Sequence, residues 1–232
     1  MKPLCVVPAR GGSKRVPRKN VALVAGRPMI AYTVDAALES GCFDAVYVST
    51  EDEEIARIAD RTGARVHPRP VELAGDLVSA TDVCIEVADA RDSQGERHES
   101  LICLQPSSPL RTADDIVRSV ERFEASGADY LVSVTPIDPH YFHWAVKPAE
   151  SGWWRMWFGT EFLKERPLLP PVFRPNGAIK IGKLAPLRAS RNFFGEKLAV
   201  VEMAEQRSLH VGEPADLELA DYLLRRASEE RS

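Results

Sequence analysis

Between residues 4 and 136 the chain repeats one pattern: a short, nearly unbroken apolar run, a turn, then an amphipathic helical stretch. The runs are "LCVVP" (4–8), "DAVYVST" (44–50), "SLICLQP" (100–106) and "YLVSVTP" (130–136), with "ARVHPRP" (64–70) a shorter one passing into a loop. Between them lie "MIAYTVDAALES" (29–40), "EDEEIARIADRTG" (51–63), "SATDVCIEVADARD" (79–92) and "TADDIVRSVERFEASG" (112–127). Runs without polar alternation suit strands buried on both faces, and helices between successive strands make those strands parallel. Right-handed crossovers then lay helices on both faces of the sheet. The expected fold class is α/β, a Rossmann-like, doubly wound, mainly parallel sheet. End signals agree: Ser79 or Thr81 can cap the third helix, Thr112 precedes two acids, and Gly41, Gly63 and Gly127 stop their helices.

The alternation breaks after Pro136. Residues 137–172 hold all four tryptophans, Trp144, Trp153, Trp154 and Trp157, with several prolines and little helical period. This segment reads either as a β-rich excursion folded over a site or as an arm that packs on a second subunit. Regularity returns with "AIKIG" (178–182), "LAVVEM" (198–203) and a closing helix, "PADLELADYLLRRASEE" (214–230). The expected organisation is a single domain over 1–232, with 137–172 an inserted arm or dimerisation segment.

Sheets of this kind bind ligands beyond the carboxyl ends of their strands. The first strand runs into "ARGGSKRVPRKN" (9–20), where five of the ten residues from Arg10 onward are basic although the chain's net charge is −4. A basic run is ordinarily a solvated turn. Here strand, glycines and cations come in the order an anion site needs. Gly11 and Gly12 let the backbone turn and aim amides inward, while Arg10, Lys14 and Lys19 can neutralise phosphate oxygens. The loop matches neither GxxxxGK[ST] nor GxGxxG.

The acidic overall balance argues against a nucleic-acid partner and suits a small anionic ligand held locally. No apolar stretch approaches the roughly 20 residues of a membrane span. The opening "MKPLCVVPARGG" has too short an apolar segment, and no small-residue cleavage site, for a signal peptide. Cys5, Cys42, Cys84 and Cys103 are scattered without a CxxC pair. A cytoplasmic location, free thiols and no zinc site are expected. His140 and His143 have i, i+3 spacing, but no acid or cysteine completes a site around them.

"PARGGSKRVPRKN", "GRPMIAYTVDAA", "VSTEDEEIA", "RPVELAGD", "LQPSSPLRTADDI" and "FRPNGAIKI", in that order, closely resemble the acylneuraminate cytidylyltransferases. This CMP-sialic acid synthetase family includes relatives that activate pseudaminic and legionaminic acids. The resemblance covers nearly the whole chain. It implies a nucleotidyltransferase-type fold and transfer of CMP from CTP to the anomeric hydroxyl of an α-keto acid sugar, with release of pyrophosphate. By similarity Arg10, Lys14 and Lys19 would be catalytic, and Gly11, Gly12, Ser13, Asn20, Arg69, Ser79 and Gln105 would join them around the nucleotide. Gln105, Arg111, Arg166, Asn176 and Gly177 would serve the sugar, with Phe193 and Phe194 as apolar walls. Phe193 and Phe194 read equally as core, Arg166 as a solvated side chain, and Arg111 as a support for the following helix. In the family an arm crosses to the partner subunit, which implies a homodimer, and Mg²⁺ is the implied cofactor.

One block departs. The family's tail reads S-x-D-x-D-T-x-x-D, and its two early carboxylates help to hold Mg²⁺. Here "SLHVGEPADLELA" sets His210 and Gly212 at those positions. Glu213 is displaced by one residue, and Asp216 sits where a first-turn capping role is expected ahead of metal binding. Ala80 and Lys180 are lesser departures. Three readings stay open: Mg²⁺ held mainly by nucleotide phosphates and water, an acceptor such as a phosphonate or another small acid, or nucleotide binding with turnover lost.

Overall fold

The apolar runs enter one seven-stranded sheet. The computed structural model describes residues 2–160 and 163–229; residues 161 and 162 of the expected arm and residue 230 of the expected last helix lie outside the described residues. The chain runs β1 (Leu4–Pro8), β2 (Leu23–Val24), β3 (Arg27–Pro28), α1 (Met29–Glu39), β4 (Val46–Thr50), α2 (Glu53–Arg61), β5 (Arg65–Pro68), α3 (Ala80–Ser93), β6 (Ser100–Leu104), α4 (Ala113–Ser126) and β7 (Tyr130–Ile137). It continues through α5 (Pro139–His143), β8 (Val146–Pro148), β9 (Trp154–Met156), β10 (Val172–Lys183), α6 (Leu184–Ser190), β11 (Leu198–Glu202) and α7 (Pro214–Glu229). Across the sheet the order is β11-β7-β10-β6-β1-β4-β5.

Every neighbouring pair is parallel except those made by β10, which lies antiparallel between β6 and β7. The reason is local. The chain leaves the sheet at Ile137 and re-enters at Val172, directly opposite, so it returns along its own edge without a helical crossover. The expected strand 178–182 is the second half of this longer β10, whose register shifts between Pro175 and Lys180. The hairpin β2–β3 and the helix α6 were not expected; both are too short to carry a readable period.

Alternate side chains of β1 point to opposite faces. Cys5 and Val7 join Ile30, Val34, Ile55, Ile116 and Leu131 beneath α1, α2 and α4. Leu4 and Val6 join Cys84, Val87, Leu187 and Phe193 beneath α3 and α6. Helix ends follow side-chain chemistry. Ser79 accepts the Asp82 amide at 3.1 Å, Thr112 and Asp115 form a reciprocal capping box, and Gly127 ends α4 with φ of 66°. All four cysteines are free. Among the described residues no helix is long and apolar enough to cross a membrane.

The connection from β1 returns through α1 on one face, and α3 brings the chain to β6 on the other. Loop 9–20 after β1, the stretch 69–80 after β5 and residues 105–107 after β6 all lie at the carboxyl edge of the sheet and border a crevice there.

Candidate active site

A cleft of about 500 Å³ occupies that crevice. Loop 9–20, Arg69, the stretch 75–80, residues 105–107 and Gly212 form its walls. Five of the lining residues are cations, Arg10, Lys14, Arg15, Lys19 and Arg69, against one carboxylate, Asp76. In a chain of net charge −4 that local excess favours a polyanion.

The loop is shaped by its own interior contacts. Asn20 is buried and its amide donates to the Arg10 carbonyl at 2.9 Å, closing the loop across its ends. Gly11 packs where a Cβ would lie 2.5 Å from Asp52 Oδ2, so only glycine fits there without movement. The Gly11 amide donates to Glu51 Oε1 at 2.7 Å. This corrects part of the expected anion nest: that amide is turned to a carboxylate after β4, and neither Gly11 nor Gly12 lines the cleft. Arg18, in the left-handed region, pairs with Asp52 and Glu54 and leaves the cleft to its neighbours.

Asp76 bridges the two leading cations, accepting from Arg10 Nη1 at 2.9 Å and pairing with Lys14. Lys14 and Arg10 hold this carboxyl below the usual carboxylate range. Lys19 donates to the Val211 carbonyl at 3.0 Å, and burial, then Arg15 and Arg10, lower its pKa. Ser13 lines the same wall. Arg69 is buried at the end of β5, where Nη2 donates to the Ser49 carbonyl at 2.7 Å. Burial lowers its pKa against the pull of Glu51. Gln105 faces the cleft from the end of β6. Ser79 stands beside the cleft rather than in its lining, its hydroxyl engaged with Asp82 at the cap of α3.

The expected sugar residues separate into two groups. Arg111 is 3% exposed, and its Nη1 donates to the Ala178 carbonyl at 2.7 Å and to the Gln105 carbonyl at 3.3 Å. Burial lowers its pKa to about 10. It ties the end of β6 to β10 from inside. Asn176 is likewise interior: its Oδ1 accepts from Ser133 Oγ at 2.6 Å and its Nδ2 donates to Ser208 Oγ at 2.9 Å. Phe193 lies in the core beneath α6, so the core reading of that ring holds. Lys180 Nζ stands 6.0 Å from its centroid.

Gly177, Phe194 and Arg166 remain accessible. Gly177 has φ of +76° within the irregularity of β10, and a Cβ there would lie 3.5 Å from His210 Nδ1. Phe194 is 40% exposed. Arg166 stands on the segment before β10 and pairs with Asp138 at 3.4 Å. It does not line the cleft of its own chain. His140 stacks on Trp144, and His143 is buried with an edge against Phe142.

The tail closes the cleft. The Val211 amide donates to the Ser107 carbonyl at 2.7 Å, and His210 Nδ1 lies 3.2 Å from Ser107 Oγ. Desolvation, then Lys19 and Arg15, hold the His210 imidazole below its ordinary pKa. Asp216 Oδ2 accepts the Gly212 and Glu213 amides at 2.9 and 2.8 Å, the capping role expected of it, and those amides lower its pKa. Glu213 Oε1 pairs with Arg15 Nη1 at 3.0 Å. These residues do not fit a protein-held Mg²⁺, which takes several oxygen ligands. Glycine has no side chain, imidazole is a poor ligand for this ion, Asp216 Oδ2 is taken up by the Gly212 and Glu213 amides, and Glu213 alone is too few ligands. Among the described residues no group of three or more His, Cys, Asp or Glu could hold a metal ion.

Sequence reasoning missed Arg15, Asp76, Glu51 and Ser107. Arg15 and Asp76 stood in the quoted blocks, and opposite charge was their available signal; Glu51 and Ser107 meet the site through backbone geometry that no spacing displays.

A family model for cytidylyltransferases matches residues 4–142. The N-acylneuraminate cytidylyltransferase of Streptococcus agalactiae is 34% identical over 214 residues, covering 91% of this chain and 50% of the relative. The chain thus spans about half the length of that relative. The CMP-N,N'-diacetyllegionaminic acid synthase of Legionella pneumophila is 31% identical over 235 aligned positions, covering 97% of each. Among solved structures, CMP:2-keto-3-deoxy-manno-octonic acid synthetase complexed with CTP matches with a TM-score of 0.75 over 98% of this chain and 100% of that one, at 18% identity, a likeness of fold. With most of the chain matched by the family model and a relative covered from end to end, this protein belongs to the cytidylyltransferase family.

Proposed function

We propose that the protein transfers CMP from CTP to the anomeric hydroxyl of an acidic, sialic-acid-like α-keto sugar. The observation that carries this reading is the cationic cleft at the carboxyl ends of β1 and β6 in a member of this family. The hydroxyl oxygen attacks the α-phosphorus, the α–β phosphoanhydride bond breaks with its electron pair on pyrophosphate, and the hydroxyl proton passes to solvent. Arg10, Lys14 and Lys19 neutralise the phosphates and the leaving group, which is most of what such a transfer asks of a protein. Asp76 yields Arg10 and Lys14 to the nucleotide. Ser13, Asn20 and Arg69 shape the nucleotide end, and Gln105 orients substrate as a neutral group between two anions. Arg111 and Asn176 position the strands beneath the sugar end, and Phe194 offers it an apolar edge.

The same proposal includes a cytoplasmic homodimer, whose arm 137–172 brings Arg166 to the partner's site. Exposed Tyr141, Trp153, Trp154 and Leu168 support it. Any Mg²⁺ then arrives with the nucleotide phosphates and water. Incubation with CTP, Mg²⁺ and a panel of sialic, pseudaminic, legionaminic and phosphonate acids tests the reading. Pyrophosphate release with one of the sugars is expected. A second reading, nucleotide binding without turnover, is favoured by His210 and Gly212 at the tail. CTP binding with no pyrophosphate from any acceptor would establish it instead.

A further inference from the structure

The tail facing the phosphate loop has no free carboxylate, and a guanidinium occupies the space beside it. A Cβ added to Gly212 would lie 3.6 Å from Arg15 Nη1 and 3.6 Å from Asp216 Oδ2. Arg15 reaches that point from the far end of the chain and is held there by Glu213 at 3.0 Å. The pair is weak by construction, with 69% of the Arg15 side chain and 58% of the Glu213 side chain exposed. Exposed pairs of this kind contribute about 1 kcal/mol or less. A triphosphate entering the cleft brings several negative charges against that one carboxylate.

Where the family resemblance leads to two carboxylates and a divalent cation between them and the phosphates, this chain sets histidine, glycine and arginine. The protein's charge at that wall is reversed. A guanidinium offers phosphate oxygens fixed positive charge together with a planar fork of donors. Gly212 leaves it room.

We propose that Arg15 exchanges Glu213 for the phosphate oxygens of the nucleotide, supplying from the protein the positive charge that a tail-held metal would supply. The proposal deepens the CTP reading of the same cleft and rests on it.

Calorimetric titration of CTP into the full chain, once in EDTA and once in Mg²⁺, tests this in the wild type, R15A, R15K and G212D. The wild type should bind CTP in EDTA. R15A should bind about 10- to 100-fold more weakly there, the range expected for loss of hydrogen bonds to a charged group. R15K should fall between them, having charge without the fork. G212D should also weaken binding in EDTA, because the new carboxylate holds Arg15 in place. An R15A or G212D variant with wild-type affinity in EDTA overturns the proposal, as does a wild type that binds CTP only with Mg²⁺. If R15A does not fold, R15K and G212D decide the question. A wild type that binds CTP under neither condition overturns the underlying nucleotide reading itself.

Discussion

The cleft at the sheet edge and the segment between Ile137 and Val172 are built on opposite physical terms. The cleft is assembled from the ends of sheet strands, with the side chains of β1 and β6 almost wholly buried, so β1, β5 and β6 deliver Arg10, Arg69 and Gln105 from hydrogen-bonded backbone. Most of its charged groups already hold a partner within the chain. The other segment presents its apolar rings to solvent, with Trp153 77% exposed, and is held by the β8–β9 hairpin and by ring contacts such as Phe142 on Phe158 at 4.1 Å. A site made from strand ends keeps its geometry without help. A surface of exposed aromatics gains stability when something covers it.

That contrast can be broken most sharply at Lys14. Its side chain is exposed and, among the described residues, paired with Asp76, so Lys14→Ala should reduce turnover about 100-fold while moving Tm by about 1 °C or less. Pyrophosphate release and thermal melts measure the two effects. Equal losses in both would make Lys14 a structural residue.

An effect of comparable size, on stability instead of turnover, is expected at Asp115, which anchors the tail where it approaches the cleft. Its carboxylate is buried between Arg207, at 2.9 and 3.0 Å, and Arg118 at 2.5 Å. Burial alone would raise its pKa; hydrogen bonds from Arg207, the Thr112 amide and Arg118 prevail and hold it low. A carboxyl depressed in the folded state stabilises fully above its unfolded value of about 3.9, and loses that contribution as pH falls through the folded value. Asp115→Asn should therefore cost about 3 kcal/mol in urea unfolding at pH 7, with the gap narrowing below about pH 4. A gap of the same size at both would refute the assignment.

The smallest effect on the chain itself is expected in the arm. Trp153→Ala should change unfolding free energy by about 0.5 kcal/mol or less, yet weaken self-association in sedimentation experiments. A wild type that sediments as a monomer would remove the arm's proposed partner.

The same contrast explains what could be read before any coordinates. Strands buried on both faces and helices with Thr112, Ser79 and Gly127 at their ends announce themselves locally, because burial and capping act over a few residues. The capping role of Asp216 followed from Pro214 and the first-turn position in the same way. The interior places of Arg111 and Asn176 could not be read, since their partners Ala178 and Ser208 come from distant strands and turns. Nor could the antiparallel insertion of β10, which depends on where the arm returns the chain to the sheet.

The central claim is that the cations after β1 receive the triphosphate of CTP. A crystal structure with CTP tests it most directly. The account predicts phosphate oxygens within hydrogen-bond distance of Arg10, Lys14 and Lys19, with Asp76 displaced from Arg10. CTP bound elsewhere while Asp76 keeps both cations would contradict it.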